Sequence, residues 1–209
     1  MFGYSVVVAA ASCDLGLGLT ETGVLTSAPF AGVLFAFPWG YYADHHGRRR
    51  ALLVSTSIGF LFAAASSLAV NWQFMLLVKL LGSSFSIASF TLSMTLLGEC
   101  TDSRHRSRHL SIMMSFNLAS EFVSFALAYL VLPLKFNVPI PWMGITYRPW
   151  RLLTLIMALP MGFGALSMYY LYESPKYLAN KGDTVQALDV LNKIYVFNGG
   201  KKGNYPVRH

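Results

Sequence analysis

Gly40-Tyr41-Tyr42-Ala43-Asp44-His45-His46-Gly47-Arg48-Arg49-Arg50 is the stretch that decides how this chain folds. It separates two uncharged runs, residues 22–43 and the long run that begins at Ala51. Gly40, near a helix end, is expected to let a neighbouring helix approach closely. Gly47 allows a tight turn with positive φ. Asp44 is placed to pair with the arginines that follow or with a neighbouring helix N-terminus. Arg48, Arg49 and Arg50 alone would make a basic anchor beside a membrane. Such an anchor would need neither glycine, nor Asp44.

The composition points the same way. Of 209 residues, 55% are hydrophobic and 12% charged, and the mean hydropathy is +0.50. Soluble domains carry roughly 25% charged residues. A disordered chain, a nucleic-acid arm and an ordinary cytosolic domain are excluded, which leaves an integral membrane protein. Between Ala51 and Gly98 the one charged residue is Lys79, and residues 152–172 hold none. A helix needs about 20 apolar residues to cross a hydrocarbon core of roughly 30 Å. As one helix the run from Ala51 to Gly98 would extend about 72 Å, so it turns once, at Asn71-Trp72-Gln73. The expected spans are 24–43, 51–70, 73–97, 109–133 (interrupted by Glu121) and 150–172.

Residues 1–13 are apolar but reach only about 20 Å as a helix. With no basic residue after Met1 they do not read as a signal peptide. They are expected to be the second half of a first transmembrane helix, which makes the chain a fragment or truncated product. Twelve of the 16 basic residues fall on alternate connections: Arg48–Arg50, Arg104, Arg106 and Arg108, then Lys176, Lys181, Lys193, Lys201, Lys202 and Arg208. The positive-inside rule places these in the cytoplasm. The net charge of +7 follows from topology, with no call on nucleic acid. Cys13 and Cys100 then lie near opposite faces, too far apart for a disulfide. No Asn-X-Ser/Thr acceptor for glycosylation occurs.

The loop fits G-x-x-x-D-x-x-G-R-R-R, and with it the chain resembles the major facilitator superfamily. Two further segments are similar to sugar-porter-like and organic-ion-transporter-like members. Glu99 and Arg106 match E-x-x-P-x-x-x-R-G, with Asp102 and Ser107 in place of the proline and glycine. Glu173-Ser174-Pro175-Lys176-Tyr177-Leu178 matches P-E-S-P-R-[WY]-L, with Tyr172 in place of the first proline. Trp150-Arg151 also fits. The tail from Glu173 to Val207 resembles the start of the central loop in members like synaptic vesicle glycoprotein two. The implied fold is an all-α membrane protein, the six-helix N-terminal half of a major facilitator with a truncated first helix. Residues 173–209 would begin a cytoplasmic loop. Val185, Leu188, Leu191 and Ile194 repeat there at helical spacing, with Asp183 or Thr184 as N-cap and Gly199-Gly200 as the stop. That helix lies either on the membrane surface or packed under the bundle.

The resemblance implies a secondary carrier for a small organic solute, working by alternating access. In it, Asp44, Arg48–Arg50, Glu99, Arg106 and Glu173, with Gly40 and Gly47, form a gating motif rather than a substrate site. Substrate sites in such folds lie near the bilayer midplane. Lys79 and Glu121 fall inside spans, where a charge is costly and faces the bundle interior. They are candidates to pair with each other, to contact a charged substrate or, for Glu121, to carry a coupling proton. Asn117 is expected one turn before Glu121 on the same face. Lys79 alternatively snorkels to the outer interface. Its position is similar to the arginine of the family's R-x-x-x-G, with Ser83 and Phe85 where glycines are expected.

The expected partners are the lipid bilayer, a small-molecule substrate and a missing C-terminal six-helix half, without which the chain transports poorly. The alternative is a non-transporting scaffold or regulatory fragment that binds another membrane protein. No enzyme is indicated. His105 and His109 are four residues apart but have no acidic ligand beside them. No Gly-rich phosphate loop or nucleophile elbow occurs. No metal or cofactor is expected.

Overall fold

The computed structural model describes residues 3–35 and 37–199. Met1, Phe2, Ala36 and residues 200–209 lie outside the described residues. With them fall Gly200 of the expected helix stop and the charges of Lys201, Lys202 and Arg208.

The helices are α1 (Gly3–Leu15), α2 (Leu19–Ala31), α3 (Phe37–His46), α4 (Arg48–Ala65), α5 (Trp72–Cys100), α6 (Arg106–Val131), α7 (Pro149–Met168), α8 (Pro175–Asn180) and α9 (Thr184–Phe197). Between α6 and α7 an antiparallel hairpin pairs β1 (Val138–Ile140) with β2 (Ile145–Tyr147), a small addition to the expected all-α architecture. Among the described residues, five helical stretches are long and apolar enough to cross a membrane: Leu19–His46, Arg48–Leu68, Trp72–Cys100, Arg106–Val131 and Pro149–Met168.

The first of these is not one smooth helix. Pro29 lies inside α2, where it removes a backbone donor. The chain then tightens into a 3-10 turn over Gly32–Phe35 before α3 resumes. Gly32 is held against α5: a Cβ there would lie 3.0 Å from the Ser84 backbone nitrogen and closer still to the Ser83 hydroxyl. Similarly, a Cβ on Gly59 of α4 would lie 3.3 Å from Phe85 Cβ. Small residues that permit close packing around Ser83 and Phe85 therefore stand on the facing elements as well as on α5, where a Cβ on Gly82 would lie 3.2 Å from Phe62 Cβ.

Two apolar cores occupy opposite ends of the bundle. Val7, Val8, Leu25, Met75, Trp150 and Leu153 are among those that meet where α1 ends and α7 begins. Ala43, Ala51, Leu52, Leu92 and Leu96 meet at the end that carries the arginine loop. Beneath the second core, α8 and α9 pack through Leu178, Ala187 and Val190, with Ile194 partly buried. Asp183 caps α9, its carboxylate accepting from the Gln186 N–H at 3.1 Å. Val185 and Leu188 of the expected stripe remain exposed. In α6 only Ala128 and Val131 are buried, although the helix runs 26 residues.

Candidate functional site

At the arginine end Gly47 is the single residue between α3 and α4, with φ +101°. A Cβ there would come within 2.5 Å of the Glu173 carboxylate, so Gly47 is required by its turn and by its neighbour. Gly40 does not do what the sequence suggested. A side chain built on it meets nothing within 4 Å, and no helix presses on it.

Arg48 reaches two carboxylates, Asp44 one turn back and Glu99 Oε1 at 3.4 Å on the last turn of α5. Glu99 Oε2 accepts from the Ser174 hydroxyl at 2.5 Å. Ser174 Oγ in turn accepts from the Tyr177 N–H at 3.2 Å as the N-cap of α8, with Pro175 in the first turn. Glu173 Oε1 accepts from the Arg49 N–H at 2.8 Å, which places a carboxylate at the positive end of α4. The Arg49 guanidinium donates to the Met168 and Tyr169 carbonyls at 3.0 and 2.8 Å. Those carbonyls end α7 and have no partner further along the helix. Tyr177 Oη donates to the His45 carbonyl at 3.0 Å.

The structure thus joins Asp44, Gly47, Arg48, Arg49, Glu99 and Glu173 into one clasp across α3, α4, α5, α7 and α8. Arg50 and Arg106 stand outside it: among the described residues neither makes an ion pair. Arg106 lies beside Gly98 instead, its Cδ and Nε 4.0 Å from where a Cβ would be. Ser174 and Tyr177 also belong to the clasp, although the motif that contains them assigns them no role. Ser174 directly before Pro175 was the available signal, since that pair starts a helix.

Midway along the bundle is a cavity of about 270 Å³ lined by Tyr4, Lys79, Ser86, Glu121, Ser124 and Thr154 among others. Lys79 and Glu121 come together here. The Lys79 ammonium lies 4.6 Å from the centre of the Tyr4 ring, a cation–π distance. Glu121 Oε2 accepts from the Gly3 N–H at 3.0 Å. Asn117 does not join them. It is exposed and is not among the residues that line the cavity. Tyr4 was missed, since an isolated tyrosine in an apolar run carries no spacing signal.

At the opposite end Asp14 gathers three donors: Arg148 at 3.0 Å, Trp150 Nε1 at 3.0 Å and Arg151 at 3.4 Å. Arg151 is 2% exposed. It also donates to the Ser67 and Ala69 carbonyls at 3.1 and 2.8 Å, beyond the end of α4. Burial pushes the neighbouring Tyr147 hydroxyl above its ordinary pKa, so it stays neutral. Among the described residues no group of three or more His, Cys, Asp or Glu side chains is placed to hold a metal.

Residues 1–201 match the family pattern of the Major Facilitator Superfamily. Synaptic vesicle glycoprotein 2C of Rattus norvegicus is 29% identical over 97% of this chain and 28% of its own length. Synaptic vesicle glycoprotein 2A of Homo sapiens is 28% identical over 98% of this chain and 28% of its own length. Among solved structures, the proton:xylose symporter XylE bound to 6-bromo-6-deoxy-D-glucose superimposes with a TM-score of 0.76 at 18% identity, over 92% of this chain and 46% of that one. The inward open conformation of the xylose transporter XylE from E. coli gives a TM-score of 0.72 at 17% identity, over 92% and 49%. The chain spans about a quarter of the curated relatives and about half of the solved chains.

Proposed function

The chain belongs to the major facilitator superfamily, with the fold of its N-terminal half in a multi-pass membrane protein, and from this we propose that it serves in a secondary carrier for a small organic solute. Family and fold are those of transporters, not enzymes. The observation that carries the proposal is the pairing of a clasp at one end with a polar cavity at mid-bundle. Solutes of such carriers bind near the midplane, between two halves that rock about the site. The cavity at Lys79 and Glu121 is the share of that site borne by this half.

In this reading the clasp faces the cytoplasm and acts as a gate. Arg48 holds Asp44 and Glu99 in one state, and the pairs loosen as the halves move. A difference of a few kcal/mol between two states is enough to bias such an equilibrium. The near-complete exposure of α6, including Phe116, Phe122 and Tyr129, fits a face that a second six-helix half covers.

Proteoliposomes containing this chain with a second six-helix half, offered a panel of sugars, organic cations and organic anions, test the proposal. Saturable uptake of at least one solute is expected, with little or none from the chain alone. No saturable uptake of any member would contradict it. A stable complex with another membrane protein in place of uptake would favour the scaffold instead.

A further inference from the structure

The clasp does not use Arg50, which borders a cavity of about 590 Å³ between the start of α4 and the turn from α8 to α9. The titratable groups on its wall are His46, Arg49, Arg50, Glu173, Tyr177, Lys181 and Asp183. Both carboxylates are already engaged. Glu173 Oε1 accepts from the Arg49 and Ser174 N–H groups at 2.8 and 3.1 Å, and Asp183 Oδ1 accepts from the Gln186 N–H as the cap of α9. Each carboxylate thus sits at a positive helix end that offsets its charge. The Arg49 guanidinium is spent on the two carbonyls that end α7. His46 Nδ1 donates to the Tyr42 carbonyl at 3.3 Å, and Tyr177 Oη to the His45 carbonyl. Two cations are left. The Arg50 guanidinium makes neither a hydrogen bond nor an ion pair among the described residues. The Lys181 ammonium has only the Tyr177 ring, 5.9 Å away at the outer limit of a cation–π contact.

The uncommitted charge of the cavity is therefore positive. The formal count agrees, with Arg49, Arg50 and Lys181 against Glu173 and Asp183. A cation entering here meets three like charges, and carboxylates that have already accepted backbone donors. A neutral guest gains only the weaker, uncharged kind of hydrogen bond from the two free cations. An anion with several oxygens gains most. A guanidinium offers a fork that matches two phosphate oxygens, and an ammonium adds a point charge for a third. A phosphate monoester carries close to two charges, where a carboxylate carries one. The volume falls within the range of small-ligand sites, so it holds a phosphate and part of the molecule that bears it. We propose that this cavity binds a phosphate-bearing anion between Arg50 and Lys181, the phosphate coming from a lipid headgroup or from a soluble molecule. Its mouth lies at the start of the membrane-crossing stretch Arg48–Leu68, where both sources reach it. The proposal is independent of the solute cavity at mid-bundle and of the carrier reading.

Acetylation of Lys181 by a water-soluble reagent, followed by mass spectrometry, reads the site directly. The exposed Lys176, which does not line the cavity, is the internal reference. One arm holds the chain in phosphatidylcholine nanodiscs and adds pyrophosphate. A second uses phosphatidylcholine nanodiscs with about 10% phosphatidylinositol 4-phosphate and no soluble phosphate. Control arms add acetate, glycerol or tetramethylammonium at matched ionic strength. Pyrophosphate, the lipid headgroup or both are expected to slow Lys181 acetylation about fivefold relative to Lys176, as two charge-assisted contacts allow. Slowing in one arm alone supports the proposal and names the source. Arg50→Gln should remove the protection, while Arg50→Lys keeps most of it. Circular dichroism checks the helicity of each variant, and if Arg50→Gln does not fold, the contrast between the phosphate arms and the controls decides. No slowing in either phosphate arm overturns the proposal. So does equal slowing by acetate, glycerol or tetramethylammonium, equal slowing at Lys176, or protection that survives in folded Arg50→Gln.

Discussion

Both ends of the bundle are held by arginines and carboxylates, but in opposite ways. At the Asp14 end three donors converge on one carboxylate, and Arg151 is sealed among backbone carbonyls. At the Gly47 end one guanidinium divides itself between two carboxylates, Asp44 with its side chain 62% exposed and Glu99 with its side chain 12% exposed. A buried cation with a single counter-ion has no substitute when that ion leaves, because water cannot reach it. An exposed pair can trade its partner for water at little cost. The first arrangement suits a fixed staple, whereas at the second the exposed Arg48–Asp44 pair suits a contact that forms and breaks.

Substitutions at the two ends should separate these behaviours. Asp14→Asn leaves Arg151 buried without a counter-charge and is expected to cost about 3–5 kcal/mol. It should give the largest fall in apparent unfolding temperature, followed by circular dichroism in detergent micelles. A change no larger than that of an exposed pair would remove the contrast. Gly47→Ala forces a side chain into a left-handed turn and against Glu173, for an expected loss of about 1–3 kcal/mol. The same melting series checks it, and part of the loss should return in a Glu173→Ala background, where the neighbour is gone. Gly40→Ala meets open space and should stay within about 0.5 kcal/mol of the parent protein. A larger effect would mean that a helix does press on Gly40.

The helical membrane architecture and the superfamily were legible because both rest on local signals. Uncharged runs, alternating basic connections and the Gly47-Arg48-Arg49-Arg50 turn are all readable from neighbours in the chain. The interruption of the first long span was partly readable, since Pro29 and Gly32 are printed in it. What could not be read is that Gly32 is needed by Ser83 and Ser84, half a hundred residues away. The Asp14 cluster was invisible for the same reason: its partners come from the far side of α6, and one acid in a run carries no pattern. Arg50 and Arg106 show the converse. Their place in a motif suggests a role in the clasp, yet among the described residues neither makes an ion pair, although Arg50 borders a cavity together with Arg49, Glu173 and Tyr177. Spacing selects residues of the right chemistry, while long-range packing decides which of them meet.

The central claim is that the clasp at Arg48 and Glu99 sets the side from which the cavity is open. With Cys13 and Cys100 replaced by serine, Ser86→Cys places one reporter thiol on the cavity wall. Its labelling by a membrane-impermeant reagent is measured from each face, in membranes holding this chain together with a second six-helix half, with and without Glu99→Gln. The account predicts that Glu99→Gln speeds labelling from the clasp side by about tenfold, as a shift of about 1.4 kcal/mol would, and slows it from the other side. Unchanged rates from both faces would contradict it.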